Sequence, residues 1–198
     1  MYYEGVDISH WDGFVDWKLV LPSGHCDFAI FRVCHGLKPD KCFYTNYNNY
    51  VLKGRPIGYY QCVYGTTLAT IRKEANYFVA QMKNLKKPFC VFVDMESEAQ
   101  KALSKSEVTK LINEWLAVVS KAGYRVGVYT NTSWYTYQMY PDKVNTEYWW
   151  IAHYGASSKV FKKKGLIWQY TSDGEIKGIS HHFDFNKAKP EIEELWKE

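Results

Sequence analysis

The sequence predicts an α/β fold, a TIM-like barrel that becomes irregular toward its carboxyl end. Three observations carry that prediction. Eight short apolar runs have strand character, helical patterns separate the earlier ones, and several runs end in acids. At 198 residues the chain fits a single domain, 1–198, large enough to bury a continuous core. No linker, low-complexity segment or fixed-period repeat divides it.

The β-type runs fall at 5–9, 28–34, 57–64, 89–96, 125–130, 149–154, 166–171 and 183–186. Between the third and fourth, Leu68, Ile71, Ala75, Phe78, Val79 and Met82 share one helical face. A crossover helix there makes the flanking strands parallel. After the fourth run, Ser104 and Glu107 form a capping box. Val108, Leu111, Ile112, Trp115, Leu116 and Val119 then make an apolar stripe that Gly123 stops. Segments 155–165 and 172–182 are polar and too irregular for crossover helices, so the later connections are expected to lack them. The length also falls below the ~250 residues of a full (β/α)₈ barrel.

Composition narrows the function. The chain carries 17 Tyr, 8 Trp and 10 Phe, an aromatic surplus that suits sugar binding because pyranose faces stack on flat rings. Most of these rings are nonetheless expected to fill the core. A formal charge of +4 with no basic stretch interleaved with aromatics argues against nucleic acid. The run Lys162-Lys163-Lys164 reads as a solvated loop. The five cysteines lack C-x-x-C spacing and read as reduced, mostly buried thiols. The amino terminus, Met-Tyr-Tyr-Glu-Gly, has no signal-peptide pattern, and no stretch is long enough to span a membrane. The expectation is a monomer made in a host cytoplasm, acting after release and without contact to a membrane.

The most informative stretch is Val-Phe-Val-Asp94-Met-Glu96-Ser, where an apolar strand runs into two carboxylates. Positions two apart on a strand project to the same face, with Cα atoms ~6.6 Å apart. Close carboxylates cannot both ionise freely, so one is expected to stay protonated while the other keeps its charge. That is the equipment of a glycosidase. Active sites of such barrels lie at the carboxyl ends of the strands, where acids distant in sequence meet. Asp7 on the first strand and Asp184 on the last should sit side by side, because those strands are neighbours in a closed barrel.

Five motifs in order, Gly-Val-Asp-Ile-Ser, Val-Asp-Met-Glu, Tyr-Trp-Trp-Ile-Ala-His-Tyr, Ile-Trp-Gln-Tyr-Thr and Phe-Asp-Phe-Asn, resemble glycoside hydrolase family 25, the Chalaropsis-type lysozymes. The resemblance implies a (β/α)₅(β)₃ barrel. It also implies an N-acetylmuramidase cleaving the β-1,4 bond between N-acetylmuramic acid and N-acetylglucosamine in bacterial peptidoglycan, often as a phage endolysin. No cofactor is implied. Carried over by position, Glu96 matches the general acid, Asp94 the partner that assists the substrate, and Asp7 and Asp184 the acids lining the cleft. Tyr60, Trp150, Tyr154 and Gln169 fall in segments that face the substrate in relatives. Family lysins often carry a wall-binding module after the barrel, and this chain ends without one, either as a catalytic domain alone or as a protein that needs none.

On this reading Glu96, kept protonated by burial and by the Asp94 charge, donates its proton to the glycosidic oxygen. Retaining enzymes hold their carboxyls about 5 to 5.5 Å apart and inverting ones about 6.5 to 9.5 Å, so the i,i+2 spacing alone does not choose. The substrate's 2-acetamido group favours retention, with its carbonyl as internal nucleophile and Asp94 orienting the amide. A chitinase-like glycosidase and a non-catalytic wall-binding barrel are the alternatives. Zinc comes into question because His181, His182 and Asp184 cluster, with His153 elsewhere, and is disfavoured because adjacent histidines lack the spacing that puts two ligands on one face of a strand or helix. Cys34 and His35 are adjacent strand residues that point apart, which disfavours a cysteine nucleophile.

Overall fold

The computed structural model describes residues 1–197. Eight strands close a barrel: β1 (Tyr3–Ile8), β2 (Phe28–His35), β4 (Ile57–Cys62), β5 (Val91–Asp94), β6 (Val126–Asn131), β7 (Tyr148–Ala152), β8 (Ile167–Gly174) and β9 (Phe183–Ala188). The two-residue β3 (Lys38–Pro39) hangs on β2 as a hairpin. Neighbours from β1 through β2 and β4 to β8 pair in parallel, and β9 runs antiparallel to both β8 and β1. The connection at 175–182 is too short for a crossover helix, so the chain can only turn back. Because β9 is reversed, its first residues lie at the same mouth as the last residues of the parallel strands.

Helices cover the outside. They are α1 (Trp17–Val20), α2 (Phe43–Val51), α3 (Leu68–Met82), α4 (Glu98–Lys101), α5 (Lys105–Lys121), α6 (Thr132–Tyr137), α7 (Lys159–Lys164) and α8 (Glu193–Trp196). The α5 stripe is buried from Val108 to Val119, and its capping box forms as the spacing predicts. In α3 the first residue of the expected face, Leu68, is 45% exposed, since it lies at the helix start beyond the barrel wall. The 155–165 segment is not wholly irregular. Ser158 caps α7, and Lys162, Lys163 and Lys164 form its last turn, where cations oppose the negative end of the helix dipole.

Alternation divides the core in two. Val91 and Val93 point outward to the helices, whereas Cys90 and Phe92 fill the barrel with Phe28, Ile30, Tyr60 and Trp150. Gln61, fully buried on the helix side of β4, accepts from Trp115 Nε1 at 2.7 Å and donates to the carbonyls of Gly36 and Glu74. Trp115→Phe keeps most of the ring and leaves the Gln61 oxygen unpaired. Urea unfolding should show a loss of about 1–3 kcal/mol.

Candidate active site

The barrel mouth collects the acids in two pairs. Asp7 and Asp184 are cross-strand partners in the antiparallel β1–β9 ladder, close enough that each carboxyl feels the other. Asp94 ends β5, and Glu96 lies two residues past it rather than within the strand, where the sequence pattern placed it. The chain leaves β5 there to start α4, whose Gln100 pins the loop. Its Oε1 accepts from Ser97 N–H at 3.0 Å, and its Nε2 donates to the carbonyls of Val63 and Gly65. Glu96 is thereby fixed against the loop after β4.

Each acid has a defined set of neighbours. Asn131 caps α6 by accepting from Trp134 N–H at 2.9 Å, which fixes its amide and aims Nδ2 at Glu96 Oε2, also 2.9 Å. Cys62, the β4 residue paired with Asp94, places Sγ 3.0 Å from Asp94 Oδ2. Asp7 Oδ2 accepts from Gln169 Nε2 at 2.9 Å and from Asn186 Nδ2 at 2.8 Å. Gln169 Oε1 in turn accepts from Tyr129 and Tyr154, and Asn186 Oδ1 from Trp150 Nε1. This belt of hydrogen bonds joins five strands and the Tyr154 loop, locking the amides in one orientation.

Burial sets the protonation. It raises the Asp94 carboxyl to about 8, with the Glu96 charge adding to the effect and the Cys62 contact opposing it. Glu96 is raised as well, by burial, against the Asn131 hydrogen bond. Both carboxyls of the pair are thus pushed toward the protonated form, Asp94 through its deeper burial and the Glu96 charge, Glu96 through burial. Asp7 is raised well above the usual range by burial and the Asp184 charge, and Asp184 reaches about 7 through burial and a third acid, Asp12.

Asp12 was not among the residues picked out from the sequence. It sits in the short turn after β1 in a reciprocal cap with Ser9, and burial and an Asp184 neighbour make it part of the cluster. The Ser9-x-x-Asp12 spacing was the available signal. Tyr129, Asn131, Cys62 and Asn186 were also missed as site residues.

The four expected substrate-facing residues divide. Tyr154 is 57% exposed at the rim of a cleft of about 310 Å³ lined also by Glu96, Tyr129, Asn131, Thr132 and His153. Tyr60 is buried among Asp7, Arg32, Cys62 and Asp94. Trp150 and Gln169 are buried too, at 1% and 2% exposure, so neither presents a face to the cleft. From their inward positions on β7 and β8 they hydrogen-bond to Asn186 and Asp7 instead.

Comparison with known proteins agrees with this architecture. Lysozyme M1 of Streptomyces globisporus is 26% identical over 198 residues, covering 93% of this chain and 67% of that protein. The catalytic domain of endolysin ply40 from a bacteriophage of Listeria monocytogenes superposes with a TM-score of 0.81 at 28% identity, covering 100% of this chain and 97% of that one. The CTP1L endolysin superposes with a TM-score of 0.83 at 28% identity, covering 97% and 68%. Residues 6–179 match the family model of Glycosyl hydrolases family 25, so this chain, with its closed eight-strand barrel, belongs to glycoside hydrolase family 25.

Proposed function

We propose that the chain is an N-acetylmuramidase of the endolysin type, cleaving the β-1,4 bond after N-acetylmuramic acid in bacterial peptidoglycan. The observation that carries this is the Asp94–Glu96 pair. It holds one proton near neutral pH at the edge of an open cleft and is backed by a second proton-sharing pair across the barrel. The lysozyme and endolysins among its relatives supply the substrate class.

When the 2-acetamido N–H docks on Asp94, that carboxylate gains a donor and the pair's proton is held on Glu96. Glu96 gives it to the glycosidic oxygen as the bond to the anomeric carbon breaks, and the acetamido carbonyl oxygen bonds to that carbon from the opposite face. An oxazolinium forms, its positive charge facing Asp94. Glu96, now a carboxylate, takes a proton from water as the water oxygen attacks the anomeric carbon, and the bond from that carbon to the acetamido oxygen breaks, which returns the free acetamide. The configuration is retained. Asp7, sharing its proton with Asp184, keeps that side of the mouth close to neutral for the sugar.

Mass spectrometry of digested walls tests the assignment. Reducing N-acetylmuramic acid ends are expected, and reducing N-acetylglucosamine ends would overturn it. The Cys62 thiol is expected to tune Asp94 as a positioning residue. Cys62→Ala removes the contact that opposes the rise, so the basic limb of the pH–rate profile should move upward and the neutral rate fall about three- to tenfold. Cys62→Ser, with a hydroxyl donor, should restore both.

A further inference from the structure

The cleft beside Glu96 takes up one flank of the mouth, at the ends of β6 and β7. On the other flank, above β1, β2 and β4, four rings form a continuous row. Trp11 packs on His10 with centroids 4.4 Å apart. His10 stacks on His35 at 6.2 Å and 16°, and His35 meets Tyr64 edge-on at 6.4 Å and 87°. The inner imidazoles are half-buried, whereas the end rings lie open, Trp11 82% and Tyr64 50% exposed.

The row is anchored from below. His10 N–H donates to Asp40 Oδ2 at 2.9 Å, and the buried Arg32 bridges Asp40 and the His10 ring. Tyr64 N–H is held by the Glu74 carboxylate at 3.2 Å. Gly36, at φ +53°, passes beneath the Tyr64 ring, where an added Cβ would lie 3.2 Å from it. Burial and the Arg32 charge push both imidazoles toward the neutral form, so the row offers rings and ring N–H donors. Its Tyr64 end lies within electrostatic reach of Asp94.

Building on the muramidase reading, we propose that the row from Trp11 to Tyr64 is a second run of sugar subsites. It holds neutral N-acetylhexosamine units on the side of the scissile bond opposite the Glu96 cleft. The apolar faces of the pyranose rings stack on the two open aromatics, and the imidazole N–H groups meet acetamido and hydroxyl oxygens. Large apolar rings left in water at the edge of a polar cleft mark binding surfaces when they form one patch. An indole face covered by a sugar contributes through apolar area and ring geometry together.

The test uses Glu96→Gln protein, which binds without cleaving, and N-acetylglucosamine oligomers of two to six units followed by tryptophan fluorescence. Affinity should rise with oligomer length. Trp11→Ala and Tyr64→Ala in that background should each weaken the longest oligomer about tenfold and flatten the length dependence. In the cleaving enzyme the same changes should raise KM for walls by a similar factor. Both side chains are exposed, and an unchanged melting temperature confirms folding. Equal affinity of parent and variants for the longest oligomer overturns the inference. Failure of the muramidase reading would appear separately, as reducing N-acetylglucosamine ends from walls, with oligomer binding still measurable.

Discussion

Glu96→Gln is expected to cut the rate of wall solubilisation by about 10²–10⁴-fold, the usual contribution of a positioned general acid. The leaving sugar oxygen departs as an alkoxide unless a proton reaches it, and Gln has none to give. The substitution is nearly isosteric. Asn131, oriented by its capping bond to Trp134, can still donate to the amide oxygen at position 96. The fold should therefore persist, and circular dichroism with thermal melting should match the parent. Release of reducing ends is the readout. A folded Glu96→Gln protein clearing walls at the parent rate would overturn the acid assignment.

The sequence makes the barrel legible because its signals are periodic. Runs such as Val91-Phe92-Val93 alternate between helix-facing and interior positions, and the α5 stripe repeats at helical spacing, so strands and crossover helices can be placed from residue types alone. Asp7 and Asp184 can be paired because closure makes the first and last strands neighbours, whichever way the last one runs. What escapes is side-chain hydrogen bonding between distant residues. Nothing local to Asn131 tells that its capping bond aims the spare N–H at Glu96, nor that Trp150 turns inward to Asn186 instead of toward sugar. How far burial raises each acid of the pair escapes for a related reason, because depth depends on how far the chain leaves β5 before Glu96.

Asp94→Asn is expected to have opposite effects on activity and stability. The variant loses the negative charge that orients the acetamide and faces the oxazolinium, and the rate at neutral pH should drop about 10²–10³-fold, in the range found for single electrostatic donors in other sites. The pH–rate profile should narrow from its basic side. In the parent the pair holds one proton until Asp94 titrates, at about 8, and above that the activity falls. With Asn at 94 the remaining proton belongs to Glu96 alone, raised by burial but opposed by Asn131, so the basic limb moves to lower pH. Stability moves the other way. A carboxyl whose folded value lies above its unfolded value contributes stability that is complete below about pH 4 and lost as pH rises through about 8. Asn has no charge to bury and keeps that stability. Denaturant melts of parent and variant should therefore converge at pH 4 and separate in the variant's favour by pH 8, the trade-off of an acid held strained for function. Melts that ran parallel from pH 4 to 8 would show that Asp94 ionises without cost in the folded protein. In that case burial would not be what raises its carboxyl.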